Sequence, residues 1–244
     1  LEVLARDQRD GVDRQLVRYQ VEPGEWVEAY LLKPLQIRQP CPGVAVFHST
    51  VDHSIRQPAG VEGRPQLAFG LQLARRGYVA FCPRNYLWPT SRKIAAGQQA
   101  EQFLRRHPQS KGMARMLVDA QLAIDQLAAM PEVDPQRLGS VGHSLGAKEV
   151  LYLAAFDERV KVTISSEGGI GTRFSNWDAP WYLGPDIRSR EFVRAHHELL
   201  ALAMPRPFLL IGGDSADGDR SWPFIEAVLP MSRWYGSPLP VGLL

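Results

Sequence analysis

The chain has 244 residues, 45% of them hydrophobic and 22% charged, with a formal net charge of +2. That apolar content suits one globular domain with a sizeable core. The near-balance of charge and the lack of any Lys/Arg run argue against a nucleic-acid partner, and no apolar stretch reaches the length of a membrane span. Cys41 and Cys82 are too few for a disulfide framework and read as free thiols beside strands. The chain opens on Leu1 rather than Met, so a preceding segment is expected to have been removed.

In chain order, residues 15–21 and 26–33 read as two strands joined by the turn Glu22-Pro23-Gly24, a hairpin expected at a sheet edge. Residues 43–47 form a short, continuous apolar run, the pattern of a strand buried on both faces. Residues 64–76 place Leu67, Leu71 and Ala74 at helical spacing, with Gly77 as the stop, and 78–82 read as the next strand. Residues 83–110 read as irregular and polar. Residues 111–130 keep Met113, Met116, Leu117, Ala120, Ile124 and Leu127 on one helical face, and Pro131 ends the helix. Further strands are expected at 138–141, 160–165 and 208–211, helices at 147–156 and 221–235, and a last strand at 240–244. This alternation predicts an α/β class with a mostly parallel sheet covered on both faces. Residues 1–244 are expected to form a single domain, with 168–200 as a long cap or substrate-loop insertion.

Between the strand at 138–141 and the helix at 147–156 lies Gly142-His143-Ser144-Leu145-Gly146. A G-x-S-x-G set between strand and helix describes a nucleophile elbow, a tight turn that lifts a serine hydroxyl above the sheet. Ser144 is therefore the candidate nucleophile. A serine needs a histidine base and an acid to orient that base, usually in the chain order Ser, acid, His. Two acid positions follow: Glu167, before Gly168-Gly169, and the 214–217 loop, with Asp214 and Asp217. Glu167 could equally be a structural carboxylate. The aspartate-rich loop lacks the full calcium-loop spacing, so no metal is expected, and the chemistry requires no cofactor.

None of the six histidines follows Asp214. The base is therefore expected on a loop after the last strand, beyond Leu244, with the last C-terminal elements of the fold missing from these 244 residues. A hydrolase fold kept only for binding is the alternative. The N–H of Leu145 pairs with that of Thr50, or of Ser49, as the expected oxyanion hole. His48 reads as structural, while His196 and His197 read as supports for the loop before residue 208. The insertion carries Trp177 and Trp181, candidates for a sugar or aromatic-ester platform.

With the elbow in place, the chain resembles the α/β-hydrolase superfamily, near its dienelactone-hydrolase-like and acetyl-xylan-esterase-like branches. It also resembles glucuronoyl esterases, which carry a G-C-S-R-N-G-K nucleophile motif and a catalytic glutamate after the next strand. Ser144 matches the serine, Lys148 the substrate-binding lysine and Glu167 the glutamate. Leu145 stands in place of the arginine, and His143 in place of the cysteine, as in generic esterases. The resemblance implies a serine esterase acting through an acyl-enzyme on a small-molecule or carbohydrate ester, acetyl or uronate. Lys148, His143, Trp177 and Trp181 would then lie beside that substrate. A prolyl-peptidase-like hydrolase shares the core but would bring a large extra domain.

Overall fold

The computed structural model describes residues 1–88, 95–213 and 215–244. Its nine strands are β1 (Glu2–Arg9), β2 (Val12–Glu22), β3 (Glu25–Pro34), β4 (Cys41–Phe47), β5 (Val79–Pro83), β6 (Val133–His143), β7 (Val160–Ser166), β8 (Phe208–Ile211) and β9 (Val241–Leu243). They form one sheet in the order β1-β2-β3-β5-β4-β6-β7-β8-β9. From β5 to β9 every neighbouring pair is parallel, whereas β1, β2 and β3 join antiparallel. The helices are α1 (Phe69–Ala74), α2 (Ala96–Arg106), α3 (Gly112–Ala128), α4 (Leu145–Phe156), α5 (His197–Ala203), α6 (Trp222–Glu226) and α7 (Ser232–Tyr235). None of the described helices is long and apolar enough to cross a membrane.

Two apolar layers hold the sheet. On one face α1 seats Leu71 and Ala74 against Val44, Val46, Ala80 and Cys82. On the other, Ala120, Ala123, Ile124 and Leu127 of α3 and Val150 and Leu153 of α4 cover Ala45, Phe47, Phe81 and Leu138. Crossovers on both faces are what a parallel sheet requires. A third cluster joins α4, α5 and β8 to the insertion after β7, around a fully buried Trp177.

The structure differs from the expected elements at several points. The β2–β3 hairpin is not at the edge, because β1 pairs along β2 outside it. Every residue of β1 is exposed, so no apolar alternation marks it. Its pairing is reinforced by cross-strand ion pairs, Arg6–Asp13 at 2.6 Å, Arg14–Asp7 at 2.6 Å and Arg18–Glu2 at 2.8 Å. Helix α2 lies inside the stretch read as irregular; only Ala100 and Phe103 of its residues are buried. The helix expected at 64–76 is confined to 69–74, preceded by a 3-10 turn that begins at Pro65. The helix expected at 221–235 is broken into α6, a 3-10 turn holding Pro230, and α7.

Candidate active site

The register of the parallel strands brings four chain ends to one edge. Phe47 of β4 pairs with Gly142 of β6, His143 with Ser166 of β7, and Ser166 with Ile211 of β8. Residues just past these positions share the carboxyl rim, where parallel sheets bind ligands.

Ser144 sits in the turn between β6 and α4 with φ 56° and ψ −109°, a conformation that L-residues seldom adopt. Its N–H donates to the Ser166 carbonyl at 2.8 Å, and its carbonyl accepts from Lys148 N–H at 3.3 Å. A Cβ at Gly142 would overlap the Gly146 carbonyl, and one at Gly146 would overlap the Phe47 carbonyl. Both glycines are therefore needed for strand and helix to meet this tightly. Ser144 remains half-exposed, at the N-terminus of a 12-residue helix.

The Gly146 N–H donates to the His48 carbonyl at 3.1 Å, which fastens the end of β4 to the first turn of α4. Ser49 continues from there, its Oγ donating to Gln57 Oε1 at 2.6 Å, and Thr50 lies exposed one residue further on. His48 is buried: its Nδ1–H donates to the Ser49 carbonyl at 2.7 Å and its Nε2 accepts from Asn85 N–H at 3.1 Å. That pair of bonds requires the neutral ring, and burial lowers its pKa to about 4.

Glu167 follows β7 directly, at φ 56°, its N–H donating to the Ile211 carbonyl at 2.9 Å. Its Oε2 accepts from Ser215 Oγ at 2.8 Å, Ala216 N–H at 2.6 Å and Asp217 N–H at 3.2 Å. Burial pushes this carboxyl up, but the three donors and the nearby His143 outweigh it and hold the pKa below the usual value. Among the described residues no donor reaches Oε1, which lies against Gly213. One oxygen fixed and one open is the arrangement that orients a histidine.

Asp214 lies outside the described residues. Asp217, the other acid candidate in that loop, is a brace rather than a catalytic acid. It is 3% exposed, with Oδ2 accepting from Gly169 N–H at 2.7 Å and Oδ1 from Ile170 N–H at 2.9 Å and Ser221 Oγ at 2.7 Å. Both oxygens are occupied, so none is left for a base.

The insertion corrects the substrate-contact expectations. Trp177 is fully buried, its indole N–H donating to the Gly169 carbonyl at 2.7 Å, so it cannot serve as a platform. Trp181 is half-buried against Tyr182, ring centroids 6.1 Å apart. Lys148 is 4% exposed: Nζ donates to Ser175 Oγ at 2.7 Å and sits 4.0 Å from the centre of the Trp177 ring. Burial lowers its pKa to about 7, against the pull of Asp217. Lys148 thus holds the insertion down on α4, a packing role the sequence did not disclose. His143 turns Nδ1 toward Ser166 Oγ at 3.2 Å and stands edge-on to Phe69. His196 donates from Nδ1 to the Ile170 carbonyl at 2.6 Å and meets Tyr152 Oη at 3.1 Å, so it secures the insertion to α4 rather than the loop before β8.

Sequence reading missed the Ser215–Asp217 cradle around Glu167, and the pair Asn85–Glu149, in which Asn85 Nδ2 donates at 3.0 Å. Both join residues about fifty or more positions apart; the Gly212-Gly213 turn is the one local signal of the first. Among the described residues no cluster of His, Cys, Asp and Glu is placed to hold a metal.

The profile of the dienelactone hydrolase family matches residues 27–179. The Bacillus subtilis (strain 168) protein YtaP, assigned as a hydrolase, is 27% identical over 202 residues, which cover 78% of this chain and 65% of YtaP. The chain therefore spans just under two thirds of that relative's length. Among solved structures, a Bacteroides fragilis NCTC 9343 protein assigned as an acetyl xylan esterase superposes with a TM-score of 0.80 at 17% identity, over 99% of this chain and 68% of that one. A glucuronoyl esterase from Solibacter usitatus gives 0.66 at 17% identity, over 96% and 74%. At these identities the likeness establishes the fold, that of an α/β-hydrolase.

Proposed function

This chain belongs to the dienelactone hydrolase family, and on that premise we propose that it is a serine carboxylic-ester hydrolase. The observation that carries the reading is the backbone of Ser144, held at φ 56° and ψ −109° between β6 and α4 with its side chain accessible. Such strain is retained where the surrounding structure enforces it, most often at reacting groups.

In the proposed reaction Ser144 Oγ attacks the ester carbonyl carbon and passes its proton to a histidine. The carbonyl oxygen becomes an oxyanion held by the N–H groups of Leu145 and Thr50, at the positive end of α4. Collapse of the tetrahedral intermediate expels the alcohol, protonated by the same histidine, and leaves an acyl-enzyme. Water, deprotonated by that histidine, then releases the acid and restores Ser144. Glu167 Oε1 orients the base.

The base is proposed to be a histidine on the segment that leaves β9. Gly212 N–H donates to the Leu244 carbonyl at 2.7 Å, so the chain leaves β9 beside the β8 loop. The open oxygen of Glu167 lies against the next residue of that loop, Gly213. A residue shortly after Leu244 would emerge next to it.

The substrate is proposed to be a carbohydrate ester, acetyl or uronate; the descriptions of the two structural neighbours support this class. The test uses the full-length protein with p-nitrophenyl acetate, acetylated xylo-oligosaccharides and the methyl ester of glucuronate. Hydrolysis that falls by at least about 10³-fold in Ser144→Ala is expected from nucleophile loss. Hydrolysis that survives the substitution would remove Ser144 from the mechanism.

A further inference from the structure

The insertion after β7 folds over a groove of about 910 Å³, near the upper end of the roughly 300–1,000 Å³ of ligand pockets. Arg173, Arg188, Arg190 and Arg194 line it, with Asp178 as the one acid among the described residues. The whole chain carries only +2, so a surplus of three positive charges here is a local concentration. Arg188 pairs with Asp178, and Arg194 reaches Glu198 at 3.5 Å between exposed side chains. Among the described residues Arg173 and Arg190 have no carboxylate in salt-bridge range, and all four arginines are exposed. A second arginine-bearing hollow, of about 890 Å³, differs in two ways. It holds two acids, Asp10 and Glu62, among four arginines, and it lies where β1 ends and β5 begins, at the opposite edge of the sheet.

Residues that line the groove contact the residues around the candidate acid. Ser175 lines the groove, accepts Lys148 Nζ and stands under the Gly168 carbonyl at 3.4 Å, one residue from Glu167. Phe174 and Phe224 form an edge-to-face pair on its wall, centroids 6.0 Å apart. Arg220 stacks over Phe174 at 4.7 Å and donates to the carbonyls of Ser215 and Ala216. Those are the residues that hold Glu167 Oε2. A further aromatic ring, Phe192, also lines the groove.

We propose that this groove is the binding site for a carboxylate-bearing part of the substrate remote from the reacting ester, an acidic sugar chain. Forked guanidinium groups match carboxylates two bonds at a time, and the aromatic faces offer flat apolar contact to sugar rings. The proposal rests on the carbohydrate-esterase reading for its substrate class, but it is tested by binding alone.

The experiment is isothermal titration of the full-length Ser144→Ala protein with a trimer of galacturonate and, separately, with the neutral trimer cellotriose. The acidic trimer is expected to bind at least tenfold more tightly and to weaken as NaCl rises from 50 to 300 mM. Replacing Arg173 and Arg190 together with alanine should weaken it at least tenfold further, and Arg190→Glu alone should do the same. Equal affinity for the two trimers, binding that ignores salt and both variants, or no binding of either trimer would overturn the assignment. Fluorophosphonate labelling of the wild-type serine is read in parallel. Labelling without acidic-trimer preference overturns the groove and leaves the esterase, whereas acidic-trimer binding without labelling supports the groove and overturns the esterase.

Discussion

Glu167 gives the sharpest statement at the scale of single residues. Three donors fix its Oε2 and hold its pKa low. Its ionised form therefore persists below the usual carboxylate range, and a rise in activity near neutral pH would belong to the base instead. Glu167→Gln keeps the shape but replaces one oxygen with an N–H donor, and kcat should fall by about 10³- to 10⁴-fold, as when a triad acid is lost. Steady-state kinetics that leave kcat within a factor of ten would remove Glu167 from the site. Glu149 behaves in the opposite way: fully buried, it is pushed up to about 8 by desolvation, despite the Asn85 hydrogen bond. Between about 5 and 8 the folded protein then holds a proton that the unfolded chain has released. Raising pH across that window must destabilise the wild type relative to Glu149→Gln, by up to about 1.4 kcal/mol per pH unit. Urea midpoints at pH 6 and pH 8 measure this difference, and parallel shifts in the two proteins would contradict it. At this scale Ser144 was legible because its glycines and apolar flanks are local. Asp217 was not, because its oxygens are occupied by amides 47 and 48 positions away.

The elbow and the insertion are the elements on which the site depends. Backbone strain at Ser144 costs on the order of 1–3 kcal/mol, and glycine would relieve much of it. Ser144→Gly should be more stable than Ser144→Ala by about 1 kcal/mol in chemical denaturation, although both lack the nucleophile. An alanine variant as stable as the glycine variant would mean that the turn is unstrained. Asp217 joins the insertion to the β8 loop through two backbone hydrogen bonds, and a third, from Ser221 Oγ, fixes its carboxylate in place. Asp217→Asn should speed hydrogen exchange at Gly169 and Ile170 by at least about tenfold, since both amides lose a charged acceptor. Unchanged exchange there would dismiss the brace. The parallel strands were legible because each is a short apolar run between turn residues. β1 was not, because its support is a set of ion pairs to β2 that exist only after pairing. α2 was hidden by a sequence with few apolar residues, and the unity expected of 221–235 was broken by Pro230.

On the scale of the whole molecule, sheet order decides what can cooperate. β4, β6, β7 and β8 are adjacent, so Thr50, Ser144, Glu167 and the Ser215–Asp217 cradle meet on one rim although they span more than 160 residues. Net charge said nothing of this: the arginine surplus of the groove exceeds the +2 of the whole chain, so an excess of acids elsewhere masks it. The central claim is that Ser144 is an activated nucleophile. Its most direct test is intact-mass analysis of the full-length protein after exposure to a fluorophosphonate, beside Ser144→Ala. One covalent adduct, mapped to Ser144 and absent from the variant, is the result predicted here. An unmodified wild-type mass, or an adduct that persists in Ser144→Ala, would contradict it.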